Sequence, residues 1–350
     1  MPEIRRAWWL PRAGSLARLA LREEPAPEPG PGEVRLRVSA VGLNFADVFA
    51  ALGLYSATPR GAFVPGLECA GTIEAVGDPV AGRPAPRPGD RVVAVTRFGG
   101  YATRVCVDAR QVHPLPGGWS FAEGAAWPVQ ALTAWYALFP LAGVERGDVV
   151  LVHSAAGGVG LQALDLAAAA GARVVATVGS EAKRAFLVGE RGLAPEAVLV
   201  RDRRRFGAHL DAALGALGAP GLDAVLDAVM GPFFRPALER LRPEGRHVVF
   251  GAADFMAAGD RPAWLRLATR WVRRPRLDPL ALVETNRGVV GFNLIWLWEA
   301  IDRLPAAYME LARLGRRRPH VGARLPFARA PEAMRLLQGG ATVGKVVLEV

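Results

Sequence analysis

The run Ser154-Ala155-Ala156-Gly157-Gly158-Val159-Gly160 puts small residues where a backbone could close around a phosphate. It follows the β-branched stretch Val149–Val152 and precedes Leu161–Ala167, which reads as a helix. A strand feeding a glycine turn and then a helix aims backbone N–H groups and the positive end of a helix dipole at one anion site. Gly157 would spare a diphosphate the clash with a Cβ, and Gly160 would let helix and strand pack closely. Ala155 takes the first glycine position of G-x-G-x-x-G, so the pattern draws its force from context. Gly171-Ala172 leads into a second strand, Arg173–Val178, closing a βαβ unit of about thirty residues. The chemistry implied is the binding of a dinucleotide.

The tip of that second strand selects between dinucleotides. A ribose 2′-hydroxyl is read by Asp or Glu about 20 residues beyond the glycine turn. Here the strand ends Thr177-Val178-Gly179-Ser180 with no carboxylate at its tip, although Glu181 follows. Lys183, and Arg201 after the third strand, could pair a 2′-phosphate, with Ser180 adding a neutral hydrogen bond. NADPH is the expected cofactor.

These residues need a scaffold, and the chain is long enough to supply one. At 350 residues and 51% apolar it can bury a large core and form two domains. Residues 1 to about 128 are rich in short alternating segments, among them Val34–Val38, Thr72–Val76 and Gly89–Val95, with a Pro/Gly/Arg loop at Pro79–Pro88. From Thr133 the texture becomes helix alternating with strand. The strands are expected at Val149–Val152, Arg173–Val178, Val198–Arg201, Ala224–Asp227, His247–Gly251 and Val289–Leu294. Such alternation predicts a parallel sheet covered on both faces. From about Pro319 the chain returns to loop and strand, ending Val343-Gly344-Lys345-Val346. Two cysteines, Cys69 and Cys106, give neither a disulfide framework nor a metal-binding spacing, and the five histidines are scattered. No signal peptide is legible and no apolar run reaches the ~18 residues of a membrane span, so a cytoplasmic, metal-free protein is expected.

With these pieces in order, the chain resembles the medium-chain dehydrogenase/reductase superfamily, in its zinc-free quinone oxidoreductase branch. The resemblance runs through Gly42-Leu43-Asn44-Phe45-Ala46-Asp47, Gly53-Leu54-Tyr55, Pro65-Gly66-Leu67-Glu68-Cys69-Ala70-Gly71, Ser154–Gly160 and Val343–Val346. Asn286–Leu294 is similar to the vesicle-membrane-protein homologue group of that branch. The resemblance implies a Rossmann doubly wound domain, at 129–294, and a GroES-like, mostly β catalytic domain split between 1–128 and 295–350. Zinc members have Cys where Asn44 stands and Gly-His-Glu where this chain has Gly66-Leu67-Glu68, and their four-cysteine lobe is absent. Asn and Leu cannot replace thiolate and imidazole as zinc ligands. The implied activity is hydride transfer to a quinone or an α,β-unsaturated carbonyl, with Asn44 and Tyr55 lining the catalytic site. Gln130 and Thr133 match positions near the nicotinamide ribose, and Phe250, Gly251, Phe292, Asn293, Leu294 and Lys345 complete the cofactor set. Asn44 reads equally as a helix N-cap, since Asn44-Phe45-Ala46-Asp47 has capping-box spacing, and Gln130 and Thr133 read nearly as well as helix-start polar residues. Glu68 is expected to pair with a buried arginine. Arg201 departs from the tyrosine the family often has there.

The formal charge is +10, yet only Lys183 and Lys345 are lysines, a skew that coding bias toward arginine produces without functional cause. Nucleic acid is not an expected partner, because no RNA-recognition motif or stacking platform accompanies Arg203-Arg204-Arg205. In Pro262–Leu282, Trp264, Leu267, Ala268 and Trp271 recur at helical spacing while Arg266, Arg270, Arg273 and Arg274 fill the other side. That pattern suits an anionic membrane surface, and so an alternative reading as a nucleotide-binding, lipid-associating protein. The favoured expectation is a helix covering the substrate cleft or a subunit interface. A homodimer is expected through Val289–Leu294 as an edge strand.

Overall fold

Alternating polar and apolar residues, as in Glu33–Ala40, make the first third of the chain a set of strands. The structure is a computed structural model describing residues 3–81, 86–256, 258–300, 303–315 and 317–350, so part of the Pro79–Pro88 loop lies outside the described residues. β1 (Ile4–Trp9) and β2 (Ala20–Pro25) form an antiparallel ribbon. There follow β3 (Glu33–Gly42), α1 (Phe45–Ala51), β4 (Glu68–Val76), β5 (Arg91–Val95), β6 (Arg104–Asp108), β7 (Val112–Pro114) and α2 (Phe121–Ala125). β3 is central, antiparallel to β4 along one edge and to β6 along the other, and β4 passes the sheet on to β5 and β7.

α3 (Pro128–Tyr136) carries the chain into the second layer, made of β8 (Val149–Val152), α4 (Gly158–Ala170), β9 (Arg173–Val178), α5 (Glu181–Gly189), β10 (Val198–Val200), α6 (Phe206–Ala216), β11 (Leu222–Asp227), α7 (Phe234–Glu239), β12 (Leu241–Val249), α8 (Trp264–Val272), α9 (Pro279–Thr285) and β13 (Gly288–Gly291). The six strands are parallel in the order β10-β9-β8-β11-β12-β13, with the switch in direction between β8 and β11. This is the doubly wound Rossmann order, and ligands bind where it reverses. All four residues of β8 are buried, as a central strand covered on both faces requires. After α10 (Arg303–Arg313), β14 (Val321–Pro326) and α11 (Ala330–Gly339), the chain ends in β15 (Lys345–Glu349). β15 inserts between β14 and β3, so the C-terminal segment completes the sheet that the N-terminal segment began.

Three expectations shift at their edges. β12 begins at Leu241, six residues before His247, because Leu222 pairs with Leu241 ahead of a register shift. β13 ends at Gly291 and not Leu294: Phe292 N–H still reaches Val249 O at 3.0 Å, but tight turns begin at Leu294. The 262–282 segment holds two helices, and the first leaves its tryptophans in solvent where a cleft cover would pack them inward, an exposure compatible with the other half of the expectation, a subunit interface. Trp264, Leu265, Trp271 and Val272 are 67%, 88%, 60% and 67% exposed, while Arg270 turns inward toward Asp254 Oδ2 at 3.6 Å.

Candidate active site

The glycine turn sits at the switch point. Ser154 adopts φ 53°, a left-handed conformation unusual for a side-chain-bearing residue, and Ala155 N–H donates to Thr177 O at 2.9 Å. Ala155 is buried and faces away from the cavity. A Cβ on Gly160 would lie 2.5 Å from both Ala155 Cα and Ser154 O, so only glycine permits this helix–strand approach. A Cβ on Gly157 would meet protein no closer than 3.2 Å, at Ser154 O. Its missing side chain therefore clears the cavity wall rather than relieving the fold. The C-terminal segment clamps the turn from outside, with Gly344 N–H donating to Ala156 O at 2.8 Å.

A cavity of about 850 Å³ opens from this turn. Ser154, Ala156, Gly157, Gly158, Val159 and Gly160 line one stretch, Gly179, Lys183 and Arg201 another, and Phe250, Gly251, Phe292, Asn293 and Leu294 a third. Asn44, Tyr55, Gln130, Thr133 and Lys345 line it from the catalytic domain and α3, together with Phe45, Phe49, Leu54 and Met256. Of the expected site residues, Ala155 and Ser180 do not line it. Ser180 is the N-cap of α5, its Oγ accepting Lys183 N–H at 3.4 Å.

At the Gly179 end, Arg201 donates to Ser154 Oγ at 3.2 Å and Lys183 Nζ to Gly340 O at 2.6 Å. Burial lowers the pKa of both, and Arg201 lowers that of Lys183 further. Glu181 faces solvent, 3.9 Å from Arg184. Two cations without a carboxylate between them suit a phosphate group.

At the other end lies a buried polar cluster that sequence reasoning assembled only in part. Glu68 pairs with Lys345 and not with an arginine. β15 lies beside β3 and so brings Lys345 to the start of β4, a neighbour 277 residues away in sequence. Lys345 Nζ also donates to Asn44 Oδ1 at 2.9 Å and Gln130 Oε1 at 2.7 Å, and Gln130 Nε2 donates to Asn44 Oδ1 at 2.7 Å. Asn44 occupies the N-cap of α1, with Asp47 Oδ2 accepting its backbone N–H at 2.8 Å. Asp47, legible in the sequence only as a capping-box residue, and Tyr101, not singled out at all, are both fully buried and join the cluster. Burial pushes the Asp47 carboxyl up to about 7 against the pull of Asn44 N–H and Lys345. Thr133 Oγ1 donates to its own helix at Val129 O, 2.6 Å. Tyr55 OH donates to Asn293 Oδ1 at 2.7 Å, joining the catalytic domain to the end of β13.

Beneath the turn, His153 Nδ1 lies 2.9 Å from Thr177 Oγ1, and His247 Nε2 lies 2.9 Å from Asp227 Oδ2. Burial pushes His153 down to about 4. Burial alone would raise Asp227, but the His247 hydrogen bond, both histidines and the Met230 N–H bring it down to about 2. Nothing in their spacing announced this pairing, which parallel β8, β11 and β12 create. Among the described residues no three His, Cys, Asp or Glu side chains gather as a metal would require, and no helix is long and apolar enough to cross a membrane.

Residues 30–117 match the alcohol dehydrogenase GroES-like domain and residues 206–348 the zinc-binding dehydrogenase domain. Synaptic vesicle membrane protein VAT-1 homologues are similar in sequence. The human protein is 33% identical over 96% of this chain and 84% of its own length. The Danio rerio protein is 34% identical over 91% of this chain, which spans 64% of that relative's length. Among solved structures, the quinone oxidoreductase of Thermus thermophilus, also known in complex with NADPH, is 35% identical with a TM-score of 0.75, covering 99% of this chain and all of that one (100%). The CurK enoyl reductase is 28% identical with a TM-score of 0.81, covering 99% of each chain.

Proposed function

This chain belongs to the medium-chain dehydrogenase/reductase superfamily, in its quinone oxidoreductase branch, and from that premise we propose an NADPH-dependent, zinc-independent reductase of quinones or α,β-unsaturated carbonyl compounds. The observation that carries this reading is one continuous cavity. It joins the glycine turn and the Lys183–Arg201 pair to an apolar pocket walled by Phe45, Phe49, Leu54 and Met256. When bound, a reduced nicotinamide supplies the hydride. The chain's own work is to hold its phosphates, keep water from the apolar end and stabilise the negative charge that collects on the acceptor's carbonyl oxygen. Quinones and enones place that charge where hydrogen-bond donors suffice, which agrees with a chain that has Asn44 and Leu67 where zinc ligands would otherwise stand. Purified protein should oxidise NADPH with at least one quinone or enone. Failure across a broad acceptor panel despite tight NADPH binding would overturn the reading.

The outward apolar face of α8 supports the second reading, a nucleotide-binding, lipid-associating protein with weak catalysis. Residues 261–277 carry six arginines and no acid. Salt-sensitive sedimentation with anionic liposomes, lost in Arg266→Ala with Arg273→Ala, distinguishes it. Those two side chains are exposed, whereas Arg270 is committed to Asp254. A homodimer is also proposed. β13 ends the Rossmann sheet, and Leu280 and Val283 of the preceding α9 are 71% and 78% exposed. An open edge and an apolar face both call for cover. Light scattering that gives a monomer at micromolar concentration contradicts it.

A further inference from the structure

The catalytic end of the cavity is rich in polar groups, but most of their donors are already committed. Asn44 Nδ2 donates to Glu68 Oε1 at 2.9 Å and Gly42 O at 3.4 Å, and Asn44 Oδ1 accepts from Lys345 and Gln130. An amide has two N–H donors and two carbonyl lone pairs, so Asn44 has nothing left to offer a substrate. The three hydrogens of Lys345 Nζ go to Asn44, Glu68 and Gln130. The Thr133 hydroxyl is bound to its own helix and the Thr96 hydroxyl to Gly66 O at 2.8 Å. Gln130 keeps one N–H, but the side chain is buried and both of its polar atoms are tied into the cluster.

Asn293 differs. Its Oδ1 accepts from Tyr55 OH at 2.7 Å, and its Nδ2 has no hydrogen-bond partner among the described residues. Both residues line the cavity beside Phe45, Phe49 and Leu54, the apolar wall against which an acceptor would lie. Resting on the reductase reading, we infer that Asn293 donates through Nδ2 to the carbonyl oxygen of the acceptor, and that Tyr55 is a positioning residue whose hydroxyl fixes which end of that amide faces the substrate. Burial holds the Tyr55 phenol up at about 12, so it stays a donor throughout the neutral range. Because Tyr55 follows α1 and Asn293 follows β13, the donor is set only when both domains stand as they do here. Asn44, the residue expected to do this work, instead anchors the buried cluster behind it, and on this inference the Asn293 amide, expected among the cofactor-binding residues, serves the acceptor and not the nucleotide.

The test is a double-mutant cycle read with 1,4-benzoquinone and with 1-penten-3-one as acceptors. Asn293→Ala should lower kcat by about 10²-fold or more, the effect of losing one donor to a developing oxyanion, and leave the Kd for NADPH within about threefold. Tyr55→Phe should lower kcat by about tenfold with NADPH affinity likewise kept. The double variant should match Asn293→Ala alone, since Tyr55 acts only through that amide. Asn293→Asp keeps the shape without the donor and should lose kcat as Asn293→Ala does, with circular dichroism confirming that each variant folds. Additive losses, a kcat unchanged by Asn293→Ala, or a Kd for NADPH rising in step with the fall in kcat would each overturn the inference while leaving the reductase reading intact. A wild-type protein that reduces neither acceptor nor any wider panel overturns the reductase reading, and this inference with it.

Discussion

Removing the Lys183 ammonium should separate NADPH from NADH without disturbing the rest of the site. Lys183 and Arg201 lie at the Gly179 end of the cavity, and neither forms an ion pair among the described residues. A charge-assisted hydrogen bond contributes roughly 1.5–3 kcal/mol, and about 1.4 kcal/mol is a factor of ten. Lys183 is partly exposed and already gives one hydrogen to Gly340 O, so the lower end applies. Lys183→Ala should weaken NADPH about tenfold. Arg201 is more enclosed, resting 5.8 Å above the Phe233 ring with Nη1 on Ser154 Oγ. Arg201→Ala should weaken NADPH by about 10²-fold, toward the upper end. NADH should change little with Lys183→Ala and slightly more with Arg201→Ala, which also frees Ser154 of the turn. Nicotinamide fluorescence titrations give both dissociation constants for each variant. Equal loss of the two nucleotides would make these residues structural and refute the reasoning. A wild-type protein preferring NADH would refute it more deeply, by returning the ribose to Glu181.

Further outcomes follow from the same geometry. Gly157→Ala, whose Cβ would press 3.2 Å from Ser154 O, should cost far less stability than Gly160→Ala yet lose nucleotide binding. Gly160→Ala, whose Cβ would fall 2.5 Å from backbone, should lower the denaturation midpoint sharply; the opposite ranking in urea titrations contradicts the assignment of the two glycines. Lys345→Met leaves Glu68 buried without its cation and should cost about 3–5 kcal/mol, with part of that recovered by adding Glu68→Gln, which removes the stranded charge and still accepts from Asn44 and Val129; a double variant no better than the single counts against the pairing. His153 has a depressed folded pKa of about 4 against an ordinary 6.5, so its contribution is full above 6.5 and is lost as pH falls toward 4. Stability measured by urea titration should therefore drop across that window, and His153→Asn should flatten the drop; an unchanged slope argues against it.

How far the sequence carried the fold depends on the range of each interaction. The strand–turn–helix at Val149–Ala167 was legible because its spacing is local, and the alternation of helix and strand that follows implies the parallel sheet. The partners of Glu68 and Tyr55 were not legible. They come from β15 and from the end of β13, brought close by topology over 277 and 238 residues. Asn44 shows the same limit, for its N-cap position was readable while the saturation of its amide depends on Lys345 and Gln130. In α8 the helical spacing was plain, but spacing says only that two faces differ and not which one meets the protein.

Isotope transfer follows hydride delivery to an activated carbonyl system without zinc from the nucleotide to the product. Chelator-treated protein is incubated with NADPH deuterated at the transferable C4 position and with 1-penten-3-one, and the product is analysed by NMR. The expected product is a saturated ketone carrying one deuterium at the former β-carbon, formed at the same rate before and after chelation. No product, or product formed only once zinc is restored, would contradict it.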